Sequence, residues 1–372
     1  METPSPKNWD RILSRAVPPF GAGSLRIGLL LTGNELMRAV EQFGYGKAHD
    51  VMRWVDVPVP KPGPKDVLIK GEFVGVRWGD IMGRTGDPEP RFGDKPFKLI
   101  AGAEIAGRVE AVGSNVTKVK IGDRVFGAPR GGGYAEYAAV EEDRVTPIPD
   151  HVSLDSACCY PVNMRAAYFL IYVWGKIKKG DKVLLHAAAG GVGQLVSQVI
   201  SRRIPGVTLI GLAGSDEKVK FCLENGCTHA INYKTQDYVH EVGEIVGHKK
   251  KGIGAEFDYG GVDLVLNSVR GPTTEKDPKV ITKRGRWILY GASAGRWPID
   301  TVPFTYDGIT IMPYSNMAWY GQPEHEDARR FIQEWMNTEK LIQPTVLKFD
   351  DLIDIHHDMQ AGKTVGKVVL AV

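Results

Sequence analysis

Hydrophobic and polar positions change rhythm twice along this chain. Between Val51 and Val140 they alternate in short runs, at Val51–Pro60, Val67–Val76, Ile105–Gly113, Lys120–Gly127 and Tyr134–Val140. Glycine- and proline-rich turns such as Pro62–Asp66 separate them. Alternation puts one face of a strand in a core and the other in water, so these runs predict a barrel-like all-β domain. Beyond Leu154 the pattern becomes an apolar helical run that continues through Val173. From Lys182 strand and helix patterns take turns. Strands are expected at Val183–Leu185, Thr208–Leu212, Ala230–Tyr233, Leu264–Asn267 and Arg286–Gly291, and helices at Val192–Ser201 and Glu217–Asn225. That rhythm predicts a parallel, doubly wound sheet. Past residue 300 it fades into two helical runs, Ala328–Trp335 and Phe349–Gln360, and a closing strand, Val365–Val372.

The division expected is an extension over 1–36, a β-rich domain over 37–160, a dinucleotide-binding domain over 161–305, and a return to the first domain over 306–372. A cleft between the two domains is the natural place for a reaction.

Composition narrows the classes. The chain has 372 residues, 43% hydrophobic and 24% charged, with a net charge of +3. That balance fits a soluble globular protein, and Lys249–Lys251 is the one compact basic run, so nucleic-acid binding is not expected. The four cysteines, Cys158, Cys159, Cys222 and Cys227, include no CxxC pair and no ligand-spaced cysteine–histidine cluster. Buried thiols in a reducing, cytoplasmic compartment are the reading, with no metal. Residues 1–36 carry Glu2, Asp10 and Glu35, which argues against an organelle-targeting segment. No transmembrane segment is expected.

The segment Lys182 to Gly193 carries the chemistry. An apolar strand meets a tight turn, Ala188-x-Gly190-Gly191-Val192-Gly193, that opens a helix. Gly190 lets backbone approach a pyrophosphate, and Gly193 lets the helix pack on the strand. Free N–H groups at the helix start then face the phosphates. The carboxylate that selects NAD is missing from the end of the second strand; Ser215 and Lys218 follow instead, with Tyr233 at the end of the next. A hydroxyl and a cation suit a 2′-phosphate, so NADP(H) is the expected cofactor. Asn267, Ser268, Gly291 and Ser293 close later parallel strands, where ligands meet such sheets. His186 reads as a core histidine, and His356-His357 as part of a polar helix face.

Separated motifs in order give the chain a family resemblance. They are Gly102-Ala-Glu104-Ile-Ala-Gly107, Gly122-Asp-Arg-Val-Phe-Gly127, Gly133-Tyr-Ala-Glu-Tyr137, His186 to Gly193, Ile231-Asn-Tyr233 and Gly366-Lys-Val-Val-Leu. The chain resembles the medium-chain dehydrogenase/reductase superfamily, and within it the zinc-independent quinone oxidoreductase group. Pro161-Val-Asn163 is similar to the vesicle amine transport protein-1-like branch. The resemblance implies an α/β fold with a GroES-like β-barrel catalytic domain and a Rossmann domain. It also implies homodimers built by extending the nucleotide-domain sheets.

Zinc alcohol dehydrogenases of that superfamily carry Gly-His-Glu where this chain has Gly102-Ala103-Glu104. Without a Lewis acid, alcohol oxidation is disfavoured, and hydride transfer to a quinone or an activated alkene is expected. Arg77 stands near the family's usual asparagine, with Asp80 kept three residues on. Arg77 is a candidate to hold an oxyanion or an acidic substrate, or to pair with Asp80. Asn163 is a candidate donor near the nicotinamide, by family analogy. The family's pocket tyrosines are replaced by Met82 and Asp87, and Arg165 reads either as a surface helix residue or as lining the phosphate path. The partner expected is thus a small planar or enone-type substrate. Alternatives are an enoyl-thioester reductase and a non-enzymatic nucleotide-binding protein of vesicle or lipid-transfer type, with peripheral membrane association.

Overall fold

The computed structural model describes residues 35–86, 97–248 and 260–372. All but the last two residues of the expected extension, and Asp87, lie outside the described residues. The first domain is built around one long strand, Asp66–Gly75, buried on its inner face by Val67 and Ile69. It pairs antiparallel with Ile105–Val112, Tyr137–Glu141 and the C-terminal strand Val368–Ala371. The same sheet continues through Arg124–Gly127 to Val145–Pro147 on one side and to Thr345–Lys348 on the other. A small sheet of Leu36–Gln42, Met52–Pro58 and Leu99–Ile100 lies alongside. Gly107 sits where the Lys70 carbonyl leaves no room for a Cβ, which is how two strands of this domain approach so closely.

The second domain is a six-stranded parallel sheet. In chain order its strands are Lys182–Leu185, Thr208–Ala213, His229–Asn232, Val262–Asn267, Ile281–Leu289 and Thr310–Pro313, and in space they run 3-2-1-4-5-6. That is the dinucleotide-binding order, with its crevice outside the carboxyl ends of the first and fourth strands. Four-residue Thr310–Pro313 is an edge strand containing a proline, too short and too weakly patterned to show as alternation, and it lies beyond residue 305. Ile281–Leu289 starts five residues before the expected Arg286, because Thr282, Lys283 and Arg284 break the apolar run.

The helix Pro323–Thr338 does not rejoin the barrel. Its Phe331 packs against Tyr168 and Tyr172, with ring centroids 5.3 and 5.5 Å away, and its Trp335 is fully buried. Thr345–Lys348 and Val368–Ala371 return to the first sheet, and the helix Leu352–Gln360 packs Leu352 and Ile355 into its core. Beneath the parallel sheet a buried carboxylate, Asp277, takes hydrogen bonds from Tyr238, Asn267 and Trp287 and lies 2.8 Å from His186 Nε2. His186 is therefore a satisfied core histidine, with a carboxylate partner 91 residues away. No helix among the described residues is long and apolar enough to cross a membrane.

Candidate active site between the two sheets

The turn after the strand Lys182–Leu185 has the shape its small residues suggest. Ala187 takes a left-handed backbone (φ 50°), and Gly190 is extended ahead of the helix Gly191–Arg203. Ala188 and Gly193 are buried, whereas Gly190, Gly191 and Val192 stay half-buried at the crevice. A Cβ on Gly193 would collide with the Ala187 and Ala188 carbonyls, so only glycine lets the helix start this close to the strand. The C-terminal tail crosses here: Gly366 bridges Gly190, and its N–H donates to the Ala189 carbonyl at 2.8 Å. Asn163 reaches the same point, since a Cβ on Gly191 would lie 2.8 Å from its Nδ2 and 3.6 Å from Lys367 Cδ.

One strand further out, Ser215 caps the helix Asp216–Glu224 by accepting from the Lys218 N–H. Lys218 Nζ donates to the Gly362 carbonyl at 2.6 Å. Burial, and then the neighbouring Lys234, lower the Lys218 pKa. Tyr233 OH and Lys234 Cε both close on Gly214 at the end of the second strand. Asp216 is held by Asn232 Nδ2 at 2.7 Å, which ties one of the two nearby acids down. The result is a hydroxyl, a phenol and two ammonium groups at one strand end, a fit for a phosphate. Lys234 directly follows Tyr233, and its place in this group rests on the fold bringing it to Gly214.

At the fourth and fifth strand ends the picture is more structural. The Asn267 side chain is committed to Thr273, Asp277 and the N–H groups of Val269 and Arg270. Gly291 lacks a side chain because the Ser268 carbonyl lies against it, and the Ser293 N–H donates to that same carbonyl at 3.1 Å.

The barrel side of the cleft holds two charge arrangements. In the first, Arg77 lies 3.0 Å from Asp80, and the other Asp80 oxygen accepts from Tyr134 OH at 3.0 Å. Tyr134 OH is in turn 3.0 Å from His356 Nε2. Tyr134 and His356 are fully buried, but the Arg77 side chain keeps 27% of its surface. Burial opposes the charge on Arg77, yet the Asp80 and Glu104 carboxylates outweigh it and raise its pKa. Burial, and then Asp80, push the Tyr134 pKa well up, so it remains a phenol. His356 is thus no polar-face residue; it is the buried end of the network, a role invisible in sequence because Tyr134 is 222 residues away.

In the second arrangement, the Lys367 ammonium is ion-paired with Glu104 and donates to the Val76 carbonyl at 2.9 Å. Both side chains are essentially sealed from solvent. Gly75 is needed here, because a Cβ would run into Glu104 Oε2. A buried carboxylate on a strand demands a cation, and that requirement was the available sequence signal for Lys367.

Two buried histidines make stability depend on pH. His356 and His325 are each held at about 4 against an ordinary 6.5, both chiefly by burial. The unfolded chain therefore binds protons that the folded chain refuses. Stability is full above pH 6.5 and falls as pH drops toward 4, by on the order of 3 kcal/mol per histidine. Urea midpoints at neutral and mildly acidic pH check this: the midpoint should drop across that window, and a flat profile would contradict the burial argument.

A twisted barrel joined to a 3-2-1-4-5-6 sheet, with a glycine turn at its crevice, defines a dinucleotide-dependent dehydrogenase or reductase. Residues 63–150 match the alcohol dehydrogenase GroES-like domain and residues 191–334 the zinc-binding dehydrogenase domain. The chain belongs to the medium-chain dehydrogenase/reductase superfamily, in its zinc-independent quinone oxidoreductase and VAT-1-like group. It is 31% identical to a quinone oxidoreductase of Mus musculus over 276 residues, covering 74% of this chain and 78% of that protein. It is 33% identical to the synaptic vesicle membrane protein VAT-1 homolog of Rattus norvegicus over 361 residues, covering 90% and 84%. A mycobacterial structure solved with NADPH superposes with a TM-score of 0.80 at 28% identity, covering 90% of this chain and all of that one.

The superfamily's zinc does not fit this barrel. Zinc takes thiolates, neutral imidazoles or free carboxylates. Here Glu104 is bound to Lys367, and Ala103 offers no donor. Burial, and then the Glu104 charge, push the Cys158 thiol well up. Among the described residues, the one cluster of three potential ligand side chains is exposed and lies elsewhere, at His240, Glu244 and His248.

Proposed function

We propose that this chain is an NADPH-dependent, zinc-independent oxidoreductase that transfers hydride to a quinone or to the C=C bond of an α,β-unsaturated carbonyl. The observation that carries this reading is the glycine turn with Asn163 and Lys367 against Gly191, while Glu104, the ion partner of Lys367, also helps raise the pKa of Arg77. NADPH, when bound, supplies the hydride. Gly190, Gly191, Val192 and Gly193 would hold its pyrophosphate, and Ser215, Lys218, Tyr233 and Lys234 its 2′-phosphate. Ala188 shapes the turn, while Asn267, Ser268, Gly291 and Ser293 wall the crevice at the strand ends.

For the chemistry, Asn163 orients the nicotinamide end. Arg77 donates to the oxygen on which negative charge grows as hydride arrives at the electron-poor carbon. Asp80 fixes the Arg77 guanidinium, and Tyr134 and His356 fix Asp80. The enolate then takes a proton from water at its α carbon, or the quinolate at its oxygen, without a dedicated acid.

The edge strand Thr310–Pro313 leaves one side of the parallel sheet free to extend, which supports a homodimer; sedimentation at micromolar concentration tests it.

Steady-state loss of nicotinamide absorbance with phenanthrenequinone and with a small enone tests the activity, each run with NADPH and NADH. Turnover favouring NADPH is expected; tight NADPH binding without turnover of either acceptor would refute the reductase reading. In the same assays Lys218→Ala and Lys234→Ala should each weaken NADPH binding about 10- to 100-fold, the loss of one charge-assisted hydrogen bond. The preference over NADH should narrow by a similar factor. An unchanged preference would remove these lysines from the phosphate site.

A further inference from the structure

Two buried guanidinium groups, Arg144 and Arg165, have donors that no partner meets. Arg144 and Arg165 are 4% and 2% exposed. Both lie against the ring of Tyr320, with their Cζ atoms 3.5 and 4.8 Å from its centroid. Arg165 donates one N–H to Tyr320 OH at 2.5 Å, and its Nε has no partner. Arg144 makes a long bond of 3.4 Å to the Ala128 carbonyl. Its Nε is ion-paired with the exposed Glu141 at 3.3 Å, and its Nη2 has no partner. Arg144 Nη2 and Arg165 Nε are thus the two guanidinium donors left open to a carboxylate. His325, with its ring 4.8 Å from Tyr320, leaves its Nε2 unpaired as well.

Such an arrangement is costly if it is only structural. Buried arginines are normally paired, and a buried donor left without a partner destabilises the fold. Among the described residues nothing else meets these donors. The cluster lies close to Asn163: Asn316, four residues before Tyr320, donates through Nδ2 to the carbonyl of Val162. Arg165 is thus not a surface residue; it is buried against Tyr320.

We propose that Arg144 and Arg165, closed around Tyr320, receive a carboxylate carried by the substrate, so that the preferred acceptor is an α,β-unsaturated acid. This rests on the reductase reading above. Half-buried Tyr320 is the cover: its phenol engages Arg165 in the free protein and swings aside for the substrate carboxylate. In the reaction the β carbon gains hydride from NADPH and the α carbon gains a proton from water. The C=C π bond is lost, two C–H bonds form, and NADPH becomes NADP+.

The test compares α-chloroacrylate, its methyl ester and phenanthrenequinone as acceptors. Wild-type protein should favour the acid over the ester in kcat/KM by about 10-fold or more, since a charge-assisted pair is worth that much. Acetate should inhibit turnover of the acid competitively. Arg144→Gln and Arg165→Gln, checked for folding by thermal melting, should cut the acid-to-ester ratio by about 10-fold each, and Tyr320→Phe should change it by less. Equal or better use of the ester and quinone, with no acetate competition, would overturn the carboxylate site and leave the reductase reading standing. If no acceptor turns over, the reductase reading fails. Calorimetric binding of α-chloropropionate to the NADP+-saturated protein then decides this site alone: binding weakened in Arg165→Gln upholds it, and no binding overturns it.

Discussion

Lys367→Met should destabilise the fold by about 3–5 kcal/mol, the cost of leaving a buried carboxylate without its cation. Glu104 is fully buried, and its other contact is one 3.3 Å hydrogen bond from the Val162 N–H. Methionine keeps the length of the lysine stem up to Cε but supplies no ammonium. The pair ties the last strand to the barrel beside the Gly366–Gly190 bridge, so its loss should loosen both domains together. The double variant Lys367→Met/Glu104→Gln should recover most of the loss, because a neutral amide is far cheaper to bury. Chemical denaturation of the three proteins checks this. A single variant as stable as wild type would show that the pair is not sealed from water. Burial works against the charge on Lys367, yet Glu104 prevails and raises its pKa above the ordinary 10.5. The pair's contribution is therefore full below that pH and is lost only as pH climbs through the folded value.

Arg77→Gln should lower kcat/KM by roughly 10²–10³-fold, the usual loss when one donor to a developing oxyanion is removed. Within the Asp80–Tyr134–His356 network, Arg77 is the member left partly exposed, so it alone can meet substrate. Tyr134→Phe removes the hydrogen bonds of Tyr134 OH with Asp80 and His356, neither of which meets substrate, and should cost less, mainly in kcat. A loss confined to KM in Arg77→Gln would make Arg77 a binding group and take it out of the chemical step.

The sequence reveals the architecture wherever local rules decide. The alternating barrel strands and the five apolar strands of the nucleotide domain follow from periodicity, and the Gly190–Gly193 turn from its small residues. Ser215 and Tyr233 both lie at Gly214, and Lys218 follows in the helix that Ser215 caps. What was hidden depends on distant pairings. Glu104 meets Lys367 across 263 residues, and Tyr134 meets His356 across 222, so neither partner betrays itself locally. Arg144, Arg165 and Tyr320 lie on three separate stretches and converge only in the fold. Thr310–Pro313 was missed because an edge strand needs little hydrophobic patterning.

Hydride transfer itself is tested most directly by isotope tracing. With NADPH deuterated at the transferable nicotinamide position and an enone in ordinary water, deuterium should appear at the β carbon of the saturated product, one per turnover. A product carrying no deuterium, or no saturated product at all, would contradict the account.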